Sequence, residues 1–311
     1  MAPIFPFLVL LAMGIGWGLT LPLANIAVST GHEPYGLIFW QFVVVVAVLG
    51  PFSQLRRNRP RVRLDRRHYL LFVALAMAGA ILPDVFFYIG AAELPAGVLS
   101  ITAATTPMFA LLIALAMRND TFAWPRLAGL ALGLGGVLLM IGPKSSLPDP
   151  NMAFFVLLTL LAPALYATEA NIVSKFGTYG LDPMQTIVGA STVGMIVSLP
   201  LAFLTGQWVD PLANFGAAEL ALIAAAALHA VVYAAYVWLV GRAGSVFASQ
   251  SAYIVTATGV VSSMIILGES YSPFVWLALG VMLLGIFLVQ PRAGQRLTPV
   301  AEAEFEHRND P

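Results

Sequence analysis

The chain has 311 residues, 59% of them hydrophobic and only 10% charged, with zero formal net charge and no cysteine. A soluble domain carries about 25% charged residues, so this chain lacks the charged surface that a water-soluble fold of its length needs. The missing cysteines exclude disulfides, thiolate metal sites and cysteine nucleophiles.

Apolar runs of about twenty residues recur along the whole chain, the mark of membrane-spanning helices. Ten spans are predicted, at 4–29, 34–52, 69–91, 94–117, 122–142, 151–174, 184–205, 217–240, 246–267 and 273–290. The opening "MAPIFPFLVLLAMGIGWGLTLPLANIAV" has no basic leader and is long for a signal peptide, so it reads as a retained first span. Connections are short and rich in turn residues, as in "STGHEPYG" and "GPKSSLPDPN". The polar tail, 291–311, is expected to be disordered and cytoplasmic.

Charge sets the orientation. "QLRRNRPRVRLDRR", between spans two and three, holds seven arginines. With that loop inside, ten spans place both termini in the cytoplasm. Arg118, Arg126, Lys175, Arg242, Arg292, Arg296 and Arg308 then also fall inside, and only Lys144 falls outside. The arginine loop reads as a topology anchor, and no nucleic-acid partner is expected.

Shifting the chain by about 149 residues lays each of the first five spans on one of the last five, an arrangement to be expected of inverted repeats. "AAELPAGVLSITAATTP" (91–107) falls on "VGRAGSVFASQSAYIVT" (240–256), Trp17 on Tyr166, Asp84 on Tyr233, Asp120 on Glu269 and Gly136 on Gly285. Five is odd, so the second half must insert upside down. The expected fold is therefore an all-α integral membrane protein of ten transmembrane helices, built as two inverted five-helix repeats at 4–142 and 151–290.

The glycine-spaced "GIGWG" of span one, the "LPAGVLSITAATTP" opening of span four, "LGES" (267–270) before span ten and the ten-span plan together resemble the EamA family of the drug/metabolite transporter superfamily. The family often has Gly-Glu before span five too; here Arg118-Asn119-Asp120 stands there. The resemblance implies export of small metabolites, often amino acids. It also implies a central cavity lined by spans one, three, four, six, eight and nine, with spans five and ten peripheral.

Polar side chains inside spans are the candidates for function, because each is costly unless it faces protein or water. Asp84 lies past the middle of span three, with Tyr88 one turn on. It reads either as a cavity carboxylate for an ammonium group or a proton, or as a structural partner for the helix broken by Pro83. Glu169, with Tyr166 on its face, reads as part of a cytoplasmic entry or as a helix-end partner of Lys175. His229, Tyr233 and Tyr236 form one stripe on span eight. The histidine is a candidate relay or a packed residue. Span nine offers Ser249, Gln250 and Tyr253, and span four offers Thr102, Thr105 and Thr106 as interhelical glue. Trp17 is too deep for an interfacial belt and reads as a cavity wall or as packing. Gly129 and Gly133 make a GxxxG, for close packing or dimerisation.

The candidate substrate-binding set is thus Trp17, Asp84, Tyr88, Tyr166, Glu169, His229, Tyr233, Gln250 and Tyr253. "GPKSS" lacks the Gly-Lys pair of a phosphate loop, and no metal-ligand or nucleophile motif stands out. No cofactor, no metal and no catalytic residue are expected. The reading is a secondary transporter of small metabolites, amino acids foremost, in the inner membrane. Its expected partners are a small-molecule substrate, the lipid bilayer and protons as coupling ion. An intramembrane enzyme or a non-transporting receptor or scaffold is the competing reading.

Overall fold

The computed structural model describes residues 4–56, 60–118, 122–143, 146–210, 213, 215–243, 247 and 250–289. The tail 291–311, Asp120, Lys144 and Ser249 lie outside the described residues. Among the described residues the chain is all helical, with no strand.

The helices are α1 (Ile4–Val28), α2 (Pro34–Leu55), α3 (Arg66–Ala76), α4 (Leu82–Glu93), α5 (Ala96–Ala103), α6 (Thr106–Ala116), α7 (Trp124–Ile141), α8 (Met152–Thr159), α9 (Leu161–Phe176), α10 (Pro183–Leu204), α11 (Ala217–Ala243), α12 (Ser251–Leu267) and α13 (Pro273–Val289). A π-helical turn, Met77–Ile81, joins α3 to α4 in one continuous span. Among the described residues eight helical stretches are long and apolar enough to cross a bilayer, and α12 and α13 are shorter apolar helices of 17 residues each. This is a multi-pass membrane protein.

Three spans are interrupted, each just ahead of a proline. Span three carries the π-turn just before Pro83. Lacking an N–H, proline cannot continue the regular hydrogen-bond ladder. Span four breaks at Ala104–Thr105, ahead of Pro107, and span six at Leu160, ahead of Pro163. The threonines of span four prove to be local rather than interhelical. Thr102, Thr105 and Thr106 donate to the carbonyls of Leu99, Thr102 and Ala103, three residues back, at 2.8, 2.6 and 2.7 Å. Ser100 does reach across, donating to the Thr256 carbonyl of α12 at 3.1 Å.

The pairing of helices has a regular form. α1 packs along α11 and α12, and α8–α9 packs along α4, the π-turn and α6. In span order, one meets eight and nine, while six meets three and four. α2 lies against α10, and α7 against α13. Small residues make these crossings close. In "GIGWG", Gly14 and Gly18 face α12 and Gly16 faces α11. The GxxxG glycines of α7 serve close contact within the chain: a methyl on Gly129 would stand 2.7 Å from the Gly285 carbonyl oxygen of α13, and one on Gly133 would run into Met108 of α6.

Polar contacts tie the two ends. At one, His32 meets Glu219 at 2.6 Å, the Tyr35 N–H donates to Gln207 at 3.0 Å, and the Trp40 indole donates to the Val209 carbonyl at 2.7 Å. At the other, Arg56 pairs with Asp182 at 3.4 Å, Lys175 donates to the Met117 carbonyl at 3.1 Å, and Arg126 donates to the Val289 carbonyl at 3.0 Å.

Candidate functional site

α4 begins at the π-turn, and that places Asp84 deep in the bundle, 5% exposed. Its carboxylate does not serve the broken backbone beside Pro83. Both oxygens take side-chain donors from other helices. The Tyr166 hydroxyl of α9 donates to Oδ1, and the Gln41 amide of α2 donates to Oδ2 at 2.9 Å. The Gln41 carbonyl accepts from the Tyr88 hydroxyl at 2.8 Å. Four side chains from α2, α4 and α9 thus form one hydrogen-bonded unit, and the direction of each bond is set. An ionised carboxylate only accepts, so Gln41 turns its N–H to Asp84 and leaves its carbonyl for the Tyr88 hydroxyl. A buried carboxylate with charge-assisted bonds to two helices holds those helices together more strongly than neutral pairs would.

Glu169 is treated differently. It lies one turn after Tyr166 on α9, half-buried, and packs against Gly79 in the π-turn. A methyl at Gly79 would stand 2.7 Å from Glu169 Cγ, so only glycine leaves room for the side chain in its present place. Lys175 does not pair with it, being engaged by Met117. Among the described residues Glu169 has no hydrogen-bond or ion-pair partner.

A second group forms where α1 crosses α11. The Trp17 indole N–H donates to His229 Nδ1 at 3.1 Å. An accepting Nδ1 makes this imidazole neutral, with its proton on Nε2. Trp17 also lies edge-on to His229 and tilted against Tyr236, both with ring centres 5.8 Å away, and Tyr236 neighbours Tyr233 at 6.3 Å. The histidine stripe of α11 therefore faces α1. Trp17, Tyr166, Glu169, His229, Tyr233 and Tyr236 are each half-buried.

The structure thus brings Asp84, Tyr88 and Tyr166 into one bonded unit and Trp17, His229 and Tyr233 into an aromatic one. Gln250 stands immediately before α12. The Tyr253 hydroxyl bonds to neither group; it is buried without a hydrogen-bond partner among the described residues. Among those residues no group of three or more histidines and carboxylates is placed to hold a metal ion.

Two residues escaped the sequence reading. Gln41, in "FWQF", is a lone amide in an apolar span, and that oddity was the only available signal. Glu269, quoted within "LGES", caps α5 from the far half of the chain. Its carboxylate accepts from the N–H groups of Ala96 and Gly97 at 2.8 and 3.2 Å and from the Tyr271 hydroxyl. The Gly97 N–H also reaches the Tyr271 oxygen at 3.1 Å, and Ser263 lies 2.6 Å from it. Burial, reinforced by the adjacent carboxylate, raises the Tyr271 pKa and keeps the hydroxyl protonated. A carboxylate at a helix N-terminus satisfies orphan donors and complements the helix dipole.

Comparison with known proteins fits this architecture. The model of the EamA-like transporter family matches residues 4–142 and 153–290. The chain is 25% identical over 211 residues to a protein of Rickettsia conorii named S-adenosylmethionine uptake transporter; the match covers 64% of this chain and 66% of that one, just under two thirds of its length. It is 23% identical over 280 residues to the "Probable terminal-alkyne amino-acid exporter" of Streptantibioticus cattleyicolor, covering 89% and 91% of the two chains. It is 23% identical over 287 residues to the inner membrane transporter YedA of Escherichia coli, named as uncharacterized, covering 90% and 89%. A solved crystal structure superimposes with a TM-score of 0.62 at 15% identity, over 93% of this chain and 98% of that one, a likeness of fold. The chain belongs to the EamA-like transporter family.

Proposed function

We propose that this protein is a secondary transporter that exports small metabolites, amino acids and related compounds foremost, across the inner membrane by alternating access. The observation that carries this reading is the interior polar set. A bundle with no task but to span the bilayer has no use for Asp84 and Glu169 at such depth, since each is costly there. Asp84 accepts one bond from Gln41 of α2 and one from Tyr166 of α9, while Glu169 has no hydrogen-bond or ion-pair partner among the described residues.

The exchanged helix pairings support two inverted repeats, 4–142 and 151–290, with the site between them. The arginine-rich loop supports cytoplasmic termini. The direction of transport rests on the relative named as an exporter. Protons are the coupling ion that interior carboxylates would serve.

Counterflow in proteoliposomes tests the proposal, using labelled amino acids with and without an imposed pH gradient. Saturable accumulation of a subset supports it, and a response to the gradient supports proton coupling. No accumulation of any solute by protein shown to be folded refutes it.

A further inference from the structure

We propose that Glu169 seats the positively charged group of the solute, so that among amino acids and related compounds those with net positive charge, amines and amino-acid amides included, are favoured over zwitterions and anions. This rests on the transporter reading and concerns the same interior site.

The first argument is the inventory of charge. Among the described residues every Lys and Arg falls in a loop or within the end turns of a span. Among the described acidic residues, Asp84 and Glu169 alone lie away from span ends. His229 adds no positive charge, because its Nδ1 accepts from Trp17. An incoming carboxylate or phosphate would meet two acidic groups and no basic side chain, an arrangement that rejects by like charge.

The second argument separates the two carboxylates. Asp84 has a donor on each oxygen, from Tyr166 and Gln41. It is an organising group, with little acceptor capacity left. Glu169 has no partner among the described residues and is half-buried. A carboxylate in this setting is costly until a cation joins it. The third argument is what surrounds it. Tyr166 lies one turn before it on α9, Tyr236 neighbours Tyr233 and Trp17 in the aromatic group of α1 and α11, and aromatic ring faces attract cations. A charged acceptor, aromatic rings and no competing base together select an ammonium group.

The test is binding to the purified full-length protein in detergent, measured by calorimetry, with sets of probes matched in shape and different in charge. One set is phenethylamine, phenylalaninamide, phenylalanine and 3-phenylpropionate. A second has isobutyl and a third methyl in place of benzyl. In at least one set the amine and the amide should bind about tenfold tighter than the zwitterion and the acid, the factor given by one desolvated charge contact. Glu169→Gln should remove that gap, and Glu169→Asp should keep the order of affinities with a smaller gap.

Three results overturn the proposal: a zwitterion or acid binding as tightly as the amine in every set, no amine binding to monodisperse protein, or the gap surviving in Glu169→Gln. Should that variant fail to fold, a reversed order in Glu169→Asp overturns it equally. Counterflow of labelled phenethylamine and phenylalanine separates this idea from the one beneath it. Amine binding without counterflow of any solute removes transport and leaves the cation seat. Accumulation of the zwitterion with exclusion of amines keeps transport and removes the seat.

Discussion

Replacing Gln41 with leucine removes the amide that joins Asp84 to Tyr88 while keeping most of the volume. Two groups lose a partner: the Tyr88 hydroxyl, which donates to Gln41 at 2.8 Å, and Asp84 Oδ2, which accepts from it at 2.9 Å. Both residues are 5% exposed, so water does not readily replace the amide. Hydrogen bonds between membrane helices average only about 0.6 kcal/mol when both partners can relax. A buried polar group left without a partner costs more, about 1–3 kcal/mol each. The second case applies here, because Asp84 stays fixed by Tyr166 and Tyr88 by its helix. Gln41→Leu should therefore destabilise the fold by about 2–4 kcal/mol. Tyr88→Phe should cost only about 1 kcal/mol, since it orphans one carbonyl oxygen. The double variant should cost less than the sum, by about 1 kcal/mol, because it contains no orphaned hydroxyl. The assay is reversible unfolding of the purified protein in mixed micelles of rising dodecyl sulfate content, followed by circular dichroism. A Gln41→Leu loss below about 0.5 kcal/mol, or strict additivity, would refute the bridging role.

Three further outcomes are expected. Asp84→Asn can keep both bonds, with its oxygen accepting from Gln41 and its amide donating to the Tyr166 oxygen; stability should fall by no more than about 1–2 kcal/mol while counterflow drops sharply, and normal counterflow across pH would make the charge dispensable. Gly129→Val puts a branched side chain against the Gly285 carbonyl of α13, so unfolding in the same micelles should reveal a loss of about 1–3 kcal/mol, and an unchanged midpoint would contradict the close crossing. Glu269→Ala frees the N–H groups of Ala96 and Gly97 and should cost about 1–2 kcal/mol, with faster amide hydrogen exchange confined to the start of α5; protection left as it was would mean that the cap is not formed.

The ten apolar segments were legible because hydropathy is local and a bilayer reads it span by span. The predicted limits fall within a few residues of the helices for nine of them. The start of the ninth, at 246, lies outside the described residues. What local reading missed were relations at a distance. Trp17 and His229 are 212 positions apart and Gln41 and Asp84 are 43 apart, and no periodicity within one helix reveals such pairs. Asp84 and Glu169 stood out alike as costly interior charges. Their different treatment, one with donors on both oxygens and one with none, depends on which helices pack against which. Prolines 83, 107 and 163 marked the interrupted spans, but not that the first would become a π-turn and the others short breaks. The GxxxG of α7 was read rightly as a close crossing, and only the fold could name α13 as its partner.

The crossing of α7 and α13 has a mechanical consequence. Where side chains separate two helices, small rotamer changes let one slide along the other. Here the carbonyl of Gly285 would stand 2.7 Å from a methyl on Gly129, and the carbonyl of Gly129 would stand 2.9 Å from a methyl on Gly285. At that point backbone meets backbone, while Met108, Met282 and Val289 fill the crossing around it. Outward the pair exposes Leu134, Leu138, Leu284 and Phe287. It is a strut with a greasy back, and any slide of α13 along α7 would have to carry backbone past backbone at this point.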